Sequence, residues 1–305
     1  MTSFDITILG SSSSIPTSTR NLPAQLLNVS ERFFLIDCGE GTQIQLRRQR
    51  AKFQRINHIM ISHLHGDHYF GLVGLITSMH LLGRTNDLHI YSPPGLKEII
   101  DIQLKYSDSR LRYPLKYHLL QNESSEIIFE DAVLSVETII LDHRLPCFGF
   151  LFKEKPKLRN IKKGVIDRYN IPIPERPRIK KGEDLKTIDG RIIKNSELTT
   201  APHELRSYAY CSDTAYNESI ILLISGVNLL YHEATFMDDK VERAKETHHS
   251  TAVQAATIAK KAGVKQLIIG HFSARYKNLE PLLQEAKSVF KSTILAEEGK
   301  KFTID

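Results

Sequence analysis

The 305-residue chain is expected to fold as an α/β protein, two sheets with helices on their outer faces in an αββα sandwich. Short apolar runs alternate with amphipathic segments along the chain, which is the pattern of layered α/β folds. The alternation restarts in the second half. Ligand-type residues also recur at the ends of the apolar runs, where sites lie in such folds.

Phe4 to Leu9, Ala24 to Val29 and Phe33 to Ile36 predict early strands, joined by turns containing Ser, Thr, Pro and Asn. Ile56 to Ser62 predicts a short buried strand. Tyr69 to Leu82 predicts a helix, since Leu72, Leu75, Ile76, Met79 and Leu82 share one face at helical spacing. A strand at Leu88 to Tyr91, a helix near Leu96 to Tyr106 and β-rich sequence from Glu126 to Phe152 complete the first half. The second half predicts strand Tyr208 to Cys211, helix Glu218 to Ser225, strand Leu229 to His232, helix Thr251 to Ala262, strand Gln266 to Ile269, helix Leu282 to Phe290 and a closing β segment. The sequence has no short-period repeat.

Length and composition agree with a soluble enzyme, the chain being long enough to bury a substantial core either as one two-layered domain or as two lobes. No apolar stretch approaches the roughly 18 residues that span a bilayer, and Met1-Thr2-Ser3-Phe4-Asp5 lacks the positive start of a signal peptide. No membrane association is expected, and the cytoplasm is the expected location. Three cysteines, Cys38, Cys147 and Cys211, have no C-x-x-C spacing and read as buried thiols in a reducing compartment.

Charge is concentrated in one place. From Lys153 to Lys194 there are 14 Lys and Arg against 6 Asp and Glu, so this stretch carries +8 of a net +6 and the remainder carries −2. It also holds Pro156, Pro172, Pro174 and Pro177 and has weak apolar periodicity. It reads as a protruding, flexible basic arm (residues 153–194) with little core of its own, inserted in a single domain spanning 1–305. Lys and Arg clustered with Tyr169 suit a phosphate backbone. A solvated linker has the same composition, and sequence alone leaves both readings open.

The densest chemistry is in His63-Leu64-His65-Gly66-Asp67-His68, directly after Ile59-Met60-Ile61. Three imidazoles and a carboxylate within six residues suit divalent metal, and two ions better than one. The tract falls on the turn between a strand and a helix. His63 and His65, two apart in near-extended backbone, can point to one metal, while Asp67 and His68 at the helix start can reach a second. His143 follows Ser135 to Leu141, Asp213 follows Tyr208 to Cys211, and His271 follows Leu267-Ile268-Ile269-Gly270, so each stands at a strand end. Taken singly, each is also compatible with a satisfied buried histidine or a turn-forming Asp.

The H-x-H-x-D-H string resembles the signature of the metallo-β-lactamase superfamily. Ser62 to Leu72 resembles the form found in ribonuclease Z, the endonuclease that trims the 3′ ends of precursor tRNA. Asp37-Cys38-Gly39-Glu40-Gly41-Thr42-Gln43, Arg20-Asn21 after a Ser-rich turn, His232-Glu233-Ala234-Thr235, His249-Ser250-Thr251 and His271-Phe272-Ser273 resemble that family's motifs in the same order, from about Ile8 to Tyr276.

The resemblance implies two Zn2+ per subunit, the first held by His63, His65 and His143, the second by Asp67, His68 and His271, with Asp213 bridging. It implies a general-base or orienting role for Asp67 and a proton-donor role for His249, with His248 as a competitor, since the family's single histidine is doubled here. Glu233 can orient that imidazole or be an ordinary strand-end carboxylate. Arg275 and Tyr276 can contact phosphate and a base or simply pack on the surface. His58, His80, His89, His118, His203 and His232 gain no support from spacing and are assigned no metal. The family also implies a homodimer acting on precursor tRNA, with the arm gripping the tRNA body. The family's arm has a Gly-Pro-rich tip, where this chain has Ile171-Pro172-Ile173-Pro174-Glu175-Arg176-Pro177.

The expected function is zinc-dependent endonucleolytic removal of the tRNA 3′ trailer, leaving a 3′-hydroxyl. The alternatives are a small-molecule phosphodiesterase or thioesterase built on the same site, which has no use for a basic arm, and a non-enzymatic RNA-binding protein with a structural zinc. The last fits poorly, because structural zinc closes with four protein ligands and seven are available here.

Overall fold

The computed structural model describes residues 3–187 and 189–305. The chain begins with strands β1 (Phe4–Gly10), β2 (Ala24–Val29), β3 (Arg32–Ile36), β4 (Ile56–Met60), β5 (Leu88–Ser92) and β6 (Leu115–Leu119). Strands β7 (Ile127–Glu130), β8 (Leu134–Leu141) and β9 (Cys147–Glu154) start the second sheet. Four two-residue strands follow: β10 (Asn160–Ile161), β11 (Leu185–Lys186), β12 (Ile192–Ile193) and β13 (Thr199–Thr200). Strands β14 (Ser207–Cys211), β15 (Leu229–Glu233), β16 (Gln266–Gly270) and β17 (Thr293–Leu295) complete the second sheet, and β18 (Lys301–Thr303) returns to the first.

The two large sheets run β18-β1-β2-β3-β4-β5-β6 and β17-β16-β15-β14-β9-β8-β7. They meet through aromatic residues: Phe34 packs edge-on against Phe129 and Phe152 of the other sheet, and the Tyr208 hydroxyl donates to Gln25. Because side chains alternate along a strand, the neighbour of Phe34, Leu35, faces the opposite way. There it joins Ile59, Leu88 and Ile90 against Leu72, Leu75, Ile76 and Met79 from the helix Leu72–Leu81 and Leu96 and Ile100 from the helix Leu96–Tyr106. Strands β3 to β6 are mutually parallel, as are β14 to β17. In each sheet the chain therefore leaves several neighbouring strands at the same edge.

Three sequence expectations are corrected. The helix expected over Tyr69 to Leu82 is two helices, Gly66–Tyr69 and Leu72–Leu81. They are separated where Gly71 presses on the preceding loop, since a Cβ there would lie 2.2 Å from the Gly39 carbonyl oxygen. The helix expected over Glu218 to Ser225 is a single 3-10 turn, Glu218–Ile220, capped by the Asn217 side chain. Ile220 and Ile224 are buried there, while Leu222 is 89% exposed. The basic segment is not without a core. A unit formed by residues 131–134 and 154–205 buries Val165, Ile171, Ile179, Leu185 and Leu198 together. Asn195 ties it internally by donating to the Ile179 and Glu183 carbonyls. Apart from Ile171, which lies between elements, these apolar residues lie on short helices and one two-residue strand, so no period announces them.

Candidate metal centre and active site

The end of β4 is held before any metal ligand appears. Asp37, at φ +56° just past β3 and fully buried, accepts the Ser62 N–H at 2.8 Å and the Ser62 hydroxyl at 3.0 Å. It also accepts the Tyr210 hydroxyl at 2.7 Å and His68 Nδ1–H at 2.8 Å. The same pattern recurs around the site. His143 donates Nδ1–H to the His248 carbonyl at 3.0 Å. His271 donates Nδ1–H to the Thr235 hydroxyl at 3.0 Å, and that hydroxyl donates to the His271 carbonyl. His63 Nδ1 lies 3.1 Å from the Ser62 hydroxyl. With Nδ1 occupied, each of these rings presents Nε2 inward, which is how outer partners select the ligating nitrogen of a histidine.

The inward-facing atoms form two groups that share one carboxylate. Donor atoms of His63, His65, His143 and Asp213 lie within 4.8 Å of one another, as do those of Asp67, His68 and His271. In the first group, His65 Nδ1 is 2.9 Å from His63 Nε2 and 3.3 Å from His143 Nε2. Asp213 divides its oxygens between the groups. Oδ2 is 3.7 Å from His63 Nε2, while Oδ1 is 3.3 Å from His68 Nε2 and 3.2 Å from His271 Nε2. All seven residues singled out in the sequence are thus brought to one edge, between the ends of β4, β8, β14 and β16.

Burial alone would lower the His68 pKa, yet the charges of Asp213, Asp67 and Asp37 raise it well above the imidazole range. Burial lowers the pKa of His63, His65 and His143, against the opposing charge of Asp213. Burial opposes the ionisation of Asp213, but His271, His68 and His63 hold its pKa well below the carboxylate range. Buried His68 Nε2 and His271 Nε2 make no hydrogen bond. Converging imidazole nitrogens and carboxylate oxygens, with two inward nitrogens that make no hydrogen bond, fit divalent cations.

The two adjacent histidines differ in their partners. His249 donates Nδ1–H to Glu233 Oε1 at 2.8 Å, while the His248 ring turns away to Asp142 at 3.2 Å. His249 lies in the same cluster as Asp213 and His271. The Glu233 carboxylate is fully buried and also accepts the N–H groups of Thr214 and Thr235. Against the burial that would lower it, Glu233 raises the His249 pKa to about 9. Arg275 packs over the Phe236 ring at 4.9 Å, and the Tyr276 hydroxyl accepts the Met237 N–H, so both make internal packing contacts. The three thiols are buried, and Cys38 is pushed up to about 12 by burial.

The cluster opens into a cleft of about 640 Å³. Phe70, 64% exposed, stands on one side, with Arg144 and Arg243 also on its walls. Sequence reasoning gave no role to Asp37, Ser62, Thr235, Phe70 or Arg144. Asp37 was within reach of the same rule that found Asp213, an acidic residue directly after an apolar strand. Thr235 and Ser62 carried no such signal.

Comparison with known proteins agrees with the architecture. The structure of the metallo-β-lactamase fold protein YhfI from Bacillus subtilis superposes with a TM-score of 0.70 at 17% identity, covering 99% of this chain and 100% of that one. The family described as Anti-Pycsar protein Apyc1 matches residues 4–112. The chain therefore has the metallo-β-lactamase fold, with its candidate site at the edge shared by both sheets. Ribonuclease Z of Bacteroides thetaiotaomicron is 50% identical over 305 residues, covering 100% of this chain and 96% of the relative. The short form of human tRNase Z superposes with a TM-score of 0.71 at 28% identity, covering 99% of each chain. The chain belongs to the ribonuclease Z family and is a phosphodiester hydrolase of the endonuclease class.

Proposed function

We propose that this chain is a zinc-dependent endoribonuclease that removes the 3′ trailer of precursor tRNA by two-metal hydrolysis, leaving a 3′-hydroxyl. The observation that carries the reading is the split of Asp213, one oxygen toward each of two groups of converging nitrogens. His63, His65 and His143 would hold one Zn2+, and Asp67, His68 and His271 the other, with Asp213 reaching both. Such ions, when bound, supply Lewis acidity that lowers the pKa of water and offsets phosphate charge.

The chain's own groups would do the rest. Asp67 would orient the attacking water and accept its proton. His249, kept protonated by Glu233, would give a proton to the leaving ribose 3′-oxygen of the trailer junction. Glu233 would act through His249 and touch no reacting atom. Arg144 and Arg243 at the cleft would meet phosphates. The basic segment 153–194 would serve as an exosite for the tRNA body. Its composition supports this, as does a cavity of about 740 Å³ within it, lined by Arg168, Tyr169, Arg178, Lys186 and Arg191 among others. A homodimer in the cytoplasm completes the proposal. No helix among the described residues is long and apolar enough to cross a membrane.

The test is cleavage of a 3′-extended tRNA transcript by the purified protein with and without chelator, beside metal analysis. Chelator-sensitive cutting after the acceptor end and two zinc ions per chain are expected. Hydrolysis of bis(p-nitrophenyl) phosphate without tRNA cleavage would favour a small-molecule hydrolase and overturn the proposal.

A further inference from the structure

The segment Ser11–Asn21 between β1 and β2 has no regular secondary structure, yet it reaches the centre of the site. At its exposed tip Ser14, with φ +57°, donates its N–H to Asp67 Oδ2 at 2.8 Å. Its flank is strapped to the stretch after His271. Phe272 N–H donates to the Ser11 carbonyl at 2.8 Å, Ser13 N–H to the Phe272 carbonyl at 3.0 Å, and Arg20 to the carbonyls of Tyr276 and Ser273.

Both ends of the loop converge on one carboxylate, Glu298, which precedes β18. Its Oε1 accepts the Ser11 N–H at 3.2 Å, the Ser11 hydroxyl at 3.3 Å and the Asn21 N–H at 2.6 Å, and its Oε2 accepts the Asn21 amide at 2.5 Å. The loop's one large apolar tip residue, Ile15, is 60% exposed, so little apolar burial anchors the tip. A loop with so little core of its own stays ordered only through polar ties, and bonds to an ionised acceptor are the strong ones.

We propose that Glu298 is a positioning residue. By clasping Ser11 and Asn21 it holds the loop closed, so that the exposed tip beside Asp67 guides the RNA strand into the cleft. The inference rests on the reading of this site as an RNA phosphodiesterase. Glu298 itself touches neither the ligand cluster nor the reacting atoms.

The experiment combines steady-state kinetics on a 3′-extended tRNA with limited trypsin digestion read by mass spectrometry. Glu298→Ala should raise KM for the RNA about tenfold, the scale of losing charged hydrogen bonds, while kcat changes by less than about threefold. The Arg20–Asn21 bond, shielded with Arg20 8% exposed, should become a preferred early tryptic cut. Asn21→Ala should move both readouts the same way. Glu298→Gln should restore most of the affinity, because a turned Asn21 amide can accept from the new Gln amide. Unchanged KM in Glu298→Ala and Asn21→Ala, continued protection of Arg20, or cuts scattered across the chain with no rescue by Gln would each overturn the proposal. If the wild-type protein hydrolyses bis(p-nitrophenyl) phosphate but leaves tRNA intact, the RNA reading fails and guidance of RNA fails with it; the tryptic readout then still decides the clasp.

Discussion

At the residue scale, His249 is held by a buried carboxylate that, in the proposed mechanism, would not meet the substrate. Glu233 is buried, accepts two backbone N–H groups, and spends its remaining capacity on His249 Nδ1. In the proposed mechanism His249→Ala should lower kcat by about 10²- to 10⁴-fold, the range of a lost general acid. Glu233→Gln should lower it less, since Gln keeps an acceptor but not the charge that raises the imidazole. Single-turnover cleavage of labelled RNA measures both. An equal and large effect of His248→Ala would contradict the assignment, because that ring faces Asp142 instead. In the proposed mechanism Asp37 would act on metal binding. Removing its bond to His68 Nδ1 frees that ring to rotate, so Asp37→Ala should weaken zinc retention by about 10- to 100-fold in equilibrium dialysis.

At the element scale, the site depends on places where regular structure is interrupted. The helix after the H-x-H-x-D-H tract breaks at Gly71 so that the Cys38 and His68 segments can bond, Cys38 N–H donating to the His68 carbonyl at 2.7 Å and Gly71 N–H to the Cys38 carbonyl at 2.9 Å. Gly71→Ala should destabilise the fold by about 1–3 kcal/mol or more, as overpacking against backbone does, in urea unfolding of the metal-free protein. His271 adopts φ +58° just after Gly270, whose missing side chain leaves room for the Tyr231 hydroxyl, 2.3 Å from where a Cβ would be. Left-handed backbone at a non-glycine residue costs about 1–3 kcal/mol. Here it turns the ring back over the strand ends, where its Nε2 meets Asp213. The capping box of the Ala252–Ala262 helix, Thr251 with Gln254, fixes the neighbouring entry two residues after His249.

At the scale of the whole molecule, two charge distributions face different partners. The candidate metal cluster brings the Asp67 and Asp213 carboxylates together among imidazoles, where in the proposed function divalent cations would balance them. Zinc should therefore raise the unfolding temperature of the chelator-treated protein, by an amount that grows with free zinc; a concentration-independent melting curve would contradict a native-state metal site. The basic segment carries the opposite field. Its deletion should reduce tRNA cleavage far more than hydrolysis of bis(p-nitrophenyl) phosphate, and the salt dependence of RNA binding should flatten with it. Equal losses on both substrates would remove the exosite from the proposal.

The sequence by itself determined most of the alternation of elements and placed ligand-type residues at strand ends, because period, apolar runs and strand-end position are local properties; the grouping of seven of them into one set came from the family resemblance. It also located the basic segment, since charge is simply counted. Tertiary structure alone decided the rest. Asp37 meets His68 across 31 positions, Glu298 meets Asn21 across 277, and His248 contributes its carbonyl to His143 across 105. Hydrogen bonds of that kind leave no period in the chain, and the small core of the basic segment leaves none either, because its apolar residues come together only when the short helices fold back on one another. Which of two adjacent histidines faces Asp213 is likewise a matter of one left-handed residue, His248 at φ +53°, a backbone angle that composition does not announce.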